Sequence, residues 1–276
     1  MVPGETGRLD IRATLSAFPL AREKKEPADD LAMRAQNEQE DQMTTGRMIE
    51  FEADGATAPG YLATPTTATG PGVVVLHTWW GLTEPFRQVC DQLAEAGYVA
   101  LAPDLYHGKT TASVEEAQAL GSALDQHMDQ WRGDIRGAMR FLREHGATSP
   151  ADGQGAFGFV AFSLGGAYAL DTSVELPDEI AAVVTFYAAY PGLDYGRAKS
   201  AYLCHFAEDD PYESAEAAAE MERELQAAGK RATFYTYPGT KHWFFEANHP
   251  ETYDAAATAL AWERTLAFLN AELHRS

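Results

Sequence analysis

Ser163 stands where an apolar run, Phe157 to Phe162, gives way to two glycines and a further apolar stretch: AFGFVAFSLGGAYAL from Ala156 to Leu170. A strand that turns sharply into a helix with serine at the turn lifts the hydroxyl above the sheet edge, where it can act as a nucleophile. Such a turn needs small neighbours so that strand and helix can approach. Ala161, Gly165 and Gly166 supply them, in an A-x-S-x-G pattern. Alone, the motif also fits a strand-to-helix turn with a capping serine. The rest of the chain decides between these readings, because a serine nucleophile of this type is followed along the sequence by an acid and then a histidine.

Both partners follow in that order. The apolar run Ala201 to Phe206 ends in Ala207-Glu208-Asp209-Asp210-Pro211-Tyr212, which releases acids at the end of a strand. Asp210 is the candidate orienting carboxylate. Glu208 or Asp209 could serve instead, and the cluster also suits the N-terminus of a helix starting near Glu213. The next run, Ala232 to Tyr237, leads through Pro238-Gly239-Thr240-Lys241 to His242, with Trp243, Phe244 and Phe245 behind it. Of the eight histidines, His242 alone lies just past a strand and after both the serine and the acid. His205 reads as a core residue inside a strand. His77 ends the first core strand and is a candidate for lining the site, but it precedes the serine.

The chain resembles the dienelactone hydrolase family, a single-domain branch of the α/β-hydrolases. The residues that carry the likeness are Val73 to Leu82 (VVVLHTWWGL), Ala96 to Tyr106 (AGYVALAPDLY), Phe162 to Gly166 (FSLGG), Asp210, and Pro238 to Phe245 (PGTKHWFF). It spans roughly Gly46 to the C-terminus. It implies an α/β-hydrolase fold and a Ser163–Asp210–His242 triad. The backbone N–H of Leu164, the residue after the nucleophile, is one expected oxyanion donor, and the resemblance puts the other at Trp79. His77, Thr78, Trp80, Tyr212, Trp243 and Phe244 are the candidate pocket residues. Three departures bear on substrate. Ser163 replaces a cysteine nucleophile, Thr78 replaces a glutamate, and Glu246 and the region of Gly108 lack the family's substrate-anchoring arginines. A fork of arginine donors binds a carboxylate well, so their loss points to small neutral esters or lactones instead of anionic dienelactones.

The elements that must position these residues alternate. A hairpin (48–53 and 58–63, joined at Asp54-Gly55) precedes a strand at 73–77, a helix at 84–96 and a strand at 98–102. Helices near 113–127 and 130–145 follow, then the strand before Ser163, a helix to about Ser173 and a strand from Ile180 to Tyr187. Pro250 opens a final helix expected to pack Ala256, Leu260, Leu266 and Leu269 on the sheet. This alternation predicts a mostly parallel sheet covered on both faces, with an antiparallel N-terminal edge and no separate lid domain.

Residues 1–42 are charged and lack either periodicity, which predicts a disordered extension ahead of a domain at 43–276. A short helix near 31–37 is the alternative there. The formal charge of −20 disfavours nucleic acid and anionic membranes as partners. Neither a membrane-spanning stretch nor a signal peptide is legible, so a cytoplasmic location is expected. Both cysteines, Cys90 and Cys204, fall at core positions. No zinc-type or dinucleotide-type motif occurs, so no metal or cofactor is expected. The triad also suits an acyltransferase or perhydrolase, and a non-catalytic binding protein could keep the same fold.

Overall fold

The computed structural model describes residues 46–148 and 157–274, all within the unit Thr44–Ser276. The extension expected at 1–42, with its alternative helix, lies outside the described residues. The strands are β1 (Arg47–Ala53), β2 (Ala56–Ala63), β3 (Gly70–Leu76), β4 (Val99–Pro103), β5 (Ala147–Thr148), β6 (Phe157–Phe162), β7 (Ile180–Phe186), β8 (Ala201–Asp209) and β9 (Ala232–Lys241). The helices are α1 (Glu84–Glu95), α2 (Val114–Asp125), α3 (Met128–Glu144), α4 (Leu164–Glu175), α5 (Ala215–Ala227) and α6 (Ala255–Leu273).

Eight strands form one sheet in the order β1-β2-β4-β3-β6-β7-β8-β9, with the short β5 beside the start of β3. From β4 to β9 every pairing is parallel, while β1–β2 and β2–β4 are antiparallel. This is the α/β-hydrolase fold, with the mixed sheet and antiparallel edge anticipated above. The hairpin turns at Asp54 (φ 47°) and Gly55 (φ 89°), the left-handed pair that a tight hairpin requires.

Alternation along the central strands builds a core on each face. Val74, Leu76, Phe157, Phe159 and Ala161 face one apolar layer, which α3, α4 and α5 cover. Val73, Val75, Val160 and Phe162 face the other, covered by α1 and α6. A central parallel sheet buried on both faces needs such continuous apolar runs.

The last helix differs from expectation. It begins at Ala255, capped by the Asp254 side chain accepting the Ala257 N–H, and not at Pro250. Its buried stripe is Ala257, Ala261, Thr265, Leu269 and Leu273, so Ala256 and Leu260 face outward and Leu266 is half-buried. A Cβ on Gly158 would meet Leu273 at 2.8 Å and Leu269 at 3.1 Å, so that glycine lets α6 rest directly on β6. Burying Leu269 there contributes about 1.5–3 kcal/mol.

Candidate active site

Ser163, Asp210 and His242 leave the sheet at three parallel strand ends, after β6, β8 and β9 respectively. Open α/β sheets hold ligands at this carboxyl edge. Ser163 has φ 48° and ψ −117°, a strained backbone for a residue with a Cβ. Its N–H donates to the Phe186 carbonyl at 2.9 Å, tying the turn to the end of β7. Glycine follows of necessity: a Cβ on Gly165 would lie 2.5 Å from the His77 carbonyl oxygen. Tyr187 (φ 40°) and Trp243 (φ 66°) are also left-handed, so strain collects around this edge.

Ser163 Oγ lies 3.0 Å from His242 Nε2. On the far side of the imidazole, Nδ1 is 2.7 Å from Asp210 Oδ2 and 2.9 Å from Oδ1. Asp210 Oδ1 also accepts the N–H groups of Tyr212 and Glu213, each at 2.9 Å, which fixes the carboxylate in place. A carboxylate at Nδ1 holds the proton there and leaves the Nε2 lone pair facing the serine hydroxyl. Both side chains are almost fully enclosed.

Among the three neighbouring acids, Asp210 is the one that touches His242. Glu208 is exposed and accepts the Gly239 N–H at 2.8 Å, and exposed Asp209 sits opposite Lys241 in the ladder. Capping of α5 falls to Ser214, whose side chain accepts the Ala217 N–H. The β8–β9 ladder carries an irregularity at this point. Ala207 pairs with Tyr237 and Asp209 with Lys241, so a two-residue step on β8 faces a four-residue step on β9. Gly239 takes up the resulting turn at φ 73°.

A cleft of about 510 Å³ opens over Ser163, Leu164 and His242. Trp79 and Tyr212 form one side, with their rings 5.4 Å apart. The other side is the face of α2 that carries Gln118, Gly121, Ser122 and Asp125. That wall was not anticipated, and its exposed polar residues at helical spacing read in sequence as a solvated face. No lysine or arginine lines the cleft among the described residues.

Of the six candidate pocket residues, Tyr212 borders the cleft and the other five lie behind it. His77 is buried; its Nδ1 donates to the Thr78 carbonyl at 2.6 Å and its Nε2 accepts the Leu105 N–H at 3.2 Å. Burial holds its pKa down, so it serves as a neutral tie between two strand ends. Thr78, Trp80, Trp243 and Phe244 are buried as well. Trp80 packs against Trp243 at 5.2 Å, and together they back the Trp79–Tyr212 wall. Hydrophobic burial has claimed aromatic residues that the sequence reading assigned to the pocket. His205 is a core residue, bonded to Tyr237 Oη and Thr265 Oγ1, and burial lowers its pKa to about 3. Cys90 and Cys204 are free and buried.

Leu164 and Trp79, the candidate oxyanion donors, both border the cleft. Leu164 is the first residue of α4, where backbone N–H groups have no acceptor within the helix. Two further carboxyls near the site are perturbed. Burial raises Glu213 to about 7 against the hydrogen bond from the Ala189 N–H, and the Asp210 charge adds to the rise. Burial raises Glu246 to about 8, against hydrogen bonding from Tyr187. No cluster of three or more His, Cys, Asp or Glu side chains among the described residues could hold a metal ion. No helix among them is long and apolar enough to cross a membrane.

Residues 58–273 match the dienelactone hydrolase family, and the chain belongs to that family of hydrolases. It is 31% identical over 229 residues to the protein usf of Aquifex pyrophilus, covering 81% of this chain and 97% of that protein. A carboxymethylenebutenolidase of Rhodococcus opacus is 28% identical over 222 residues, covering 75% of this chain and 83% of the other. Among solved structures, a dienelactone hydrolase-like promiscuous phosphotriesterase from metagenomic libraries superposes with a TM-score of 0.74 at 20% identity, covering 83% of this chain and 98% of its own.

Proposed function

We propose that the protein is a serine hydrolase that cleaves small neutral carboxylic esters or lactones through an acyl-enzyme intermediate. The observation that carries this reading is the continuous chain from Ser163 Oγ to His242 Nε2 at 3.0 Å and from Nδ1 to Asp210 at 2.7 Å. His242 takes the Ser163 proton as Oγ attacks the ester carbonyl. Asp210 holds the imidazole and stabilises the imidazolium. The N–H groups of Leu164 and Trp79 receive the oxyanion. His242 then passes its proton to the departing alkoxide, and water admitted through the open cleft releases the acid by the same steps.

The lining supports a neutral substrate. Trp79 and Tyr212 offer an apolar side for an acyl or aryl group, while Asp125 and the absence of a lining cation among the described residues disfavour a carboxylate. The test is Ser163→Ala with p-nitrophenyl acetate, together with fluorophosphonate labelling. Loss of kcat on the order of 10⁴-fold and loss of labelling are expected. Retention of more than a tenth of the wild-type kcat would refute the assignment.

A further inference from the structure

Glu246 is a buried carboxyl that the triad does not touch. It stands four residues beyond His242 on the same loop, and none of it reaches solvent. Its Oε1 accepts the Tyr187 hydroxyl at 2.8 Å, the Thr78 side chain lies beside the same carboxyl, and Oε2 is enclosed without a hydrogen-bond partner. No cation among the described residues pairs with it. An ionised carboxylate there would be an uncompensated buried charge. A neutral acid suits the surroundings better, since it carries no uncompensated charge while its carbonyl oxygen still accepts the Tyr187 hydroxyl.

Both neighbours belong to the site. The Tyr187 ring lies 4.7 Å from the His242 ring. Thr78 opens the turn that carries Trp79, and its Oγ1 accepts the Trp80 N–H at 3.4 Å. The remaining titratable groups around the carboxyl are few. His242 lies under the Tyr187 ring, and the Asp210 charge acts on Tyr187. The His249 backbone N–H donates to the Glu246 backbone carbonyl at 2.9 Å, and the His249 ring stacks on Trp80 and Trp243.

We propose that Glu246 is a positioning residue that works as a neutral acid, joining the turn that carries Trp79 to the ring of Tyr187 and, through that ring, to His242. The proposal rests on the triad reading above. Loss of the Glu246 proton leaves an uncompensated negative charge beside the Tyr187 ring and the Thr78 turn, the two elements that pack on His242 and carry Trp79. At the effective dielectric of a protein site, this slows acylation by about tenfold. The carboxyl, raised to about 8 by burial, thus sets a descending alkaline limb on catalysis.

The experiment is the pH profile of kcat/KM for the wild type, Glu246→Gln, Glu246→Leu and Glu213→Gln. Glutamine reproduces the neutral acid, with one acceptor and one donor, and leucine does not. The wild type should lose activity through about pH 8. Glu246→Leu should lower kcat about tenfold at neutral pH with KM within about threefold. Glu246→Gln should restore kcat and remove the descending limb to at least about pH 9. Glu213→Gln, which removes the other raised carboxyl, should keep the limb. Persistence of the limb in Glu246→Gln, its loss in Glu213→Gln, or a folded Glu246→Gln as slow as leucine would each overturn the proposal. Should the Glu246 variants fail to fold, infrared difference spectra of Glu213→Gln must show a protonated carboxyl band that disappears through about pH 8, and its absence also overturns the proposal. Fluorophosphonate labelling of the wild type separates the two readings. An unlabelled wild type refutes the triad, whereas labelling combined with a contrary pH result refutes the role of Glu246 alone.

Discussion

Replacing Gly165 by alanine tests how closely the turn at Ser163 is set. The added Cβ would lie 2.5 Å from the His77 carbonyl oxygen and 2.7 Å from that of Leu76, whereas ordinary contact begins near 3.4 Å. Both obstacles are backbone of β3 and its exit, so no side-chain rotation relieves them. The start of α4 must therefore retreat by about 0.9 Å, the difference between 3.4 and 2.5 Å. Overpacking of this kind costs about 1–3 kcal/mol, and the helical preference of alanine over glycine returns up to about 1 kcal/mol. A net loss of about 1–2 kcal/mol lowers Tm by roughly 2–8 °C for a domain of this size. Catalysis should suffer more, because the same displacement moves Ser163 and the Leu164 N–H. A shift near 1 Å in reacting geometry costs about 10²-fold in rate. The assay is kcat/KM for p-nitrophenyl acetate beside a thermal melt at one pH. Gly121→Ala is the stability control, since its Cβ meets nothing closer than 3.6 Å, and its Tm should hold or rise. A Gly165→Ala enzyme with kcat/KM within threefold of wild type and an unchanged Tm would refute the close approach and the role given to the start of α4.

Asp210→Asn should lower kcat by orders of magnitude while Asp209→Asn stays within about twofold, because only Asp210 reaches His242 Nδ1; the reverse order in steady-state assays would reassign the acid. Asp125→Asn should improve kcat/KM for an anionic aryl ester about fivefold relative to its neutral analogue, as one like charge leaves the cleft wall. An unchanged ratio would mean that substrates bind away from α2. Stability should report on Glu246 independently of turnover. Its folded pKa is raised to about 8, so the stability it contributes is complete below the unfolded value near 4.3 and is lost as pH rises to about 8. The urea midpoint of Glu246→Gln should therefore gain on the wild type across that window and level off above it. A difference independent of pH would show that the carboxyl is not buried in its neutral form.

The parts of the site legible in sequence were those with a local cause. The apolar run before Ser163 and the glycines after it define the strand-to-helix turn without reference to the rest of the chain. Fold-level ordering then picked out His242 and placed the acid at the end of β8. Choosing among Glu208, Asp209 and Asp210 lay beyond local pattern, because the choice depends on where β8 stops and which way each side chain leaves the ladder. The cleft wall was illegible for a related reason. Gln118, Ser122 and Asp125 are polar at helical spacing, and only the placement of α2 over Ser163 turns that face into a lining. Aromatic residues misled in the opposite direction: Trp80, Trp243 and Phe244 sit on loops at the functional edge, yet burial claims them. In α6 Leu269 faces the sheet as expected, but Ala256, Leu260 and Leu266 each miss the stripe by one residue, and polar Thr265 and Glu272 occupy buried positions that an apolar pattern does not mark.

The unequal step between β8 and β9 gives the segment Pro238-Gly239-Thr240 a role as a spacer of fixed count. Side chains along a strand alternate between the faces of the sheet, so removing one residue would turn all that follows by half a period. His242 comes one residue after the ladder resumes at Lys241, and its aim toward Ser163 is therefore set by the number of residues in the bulge as much as by their identity. In this chain the side chains of the spacer can therefore change more freely than its length, since a single deletion would turn the imidazole away from the serine.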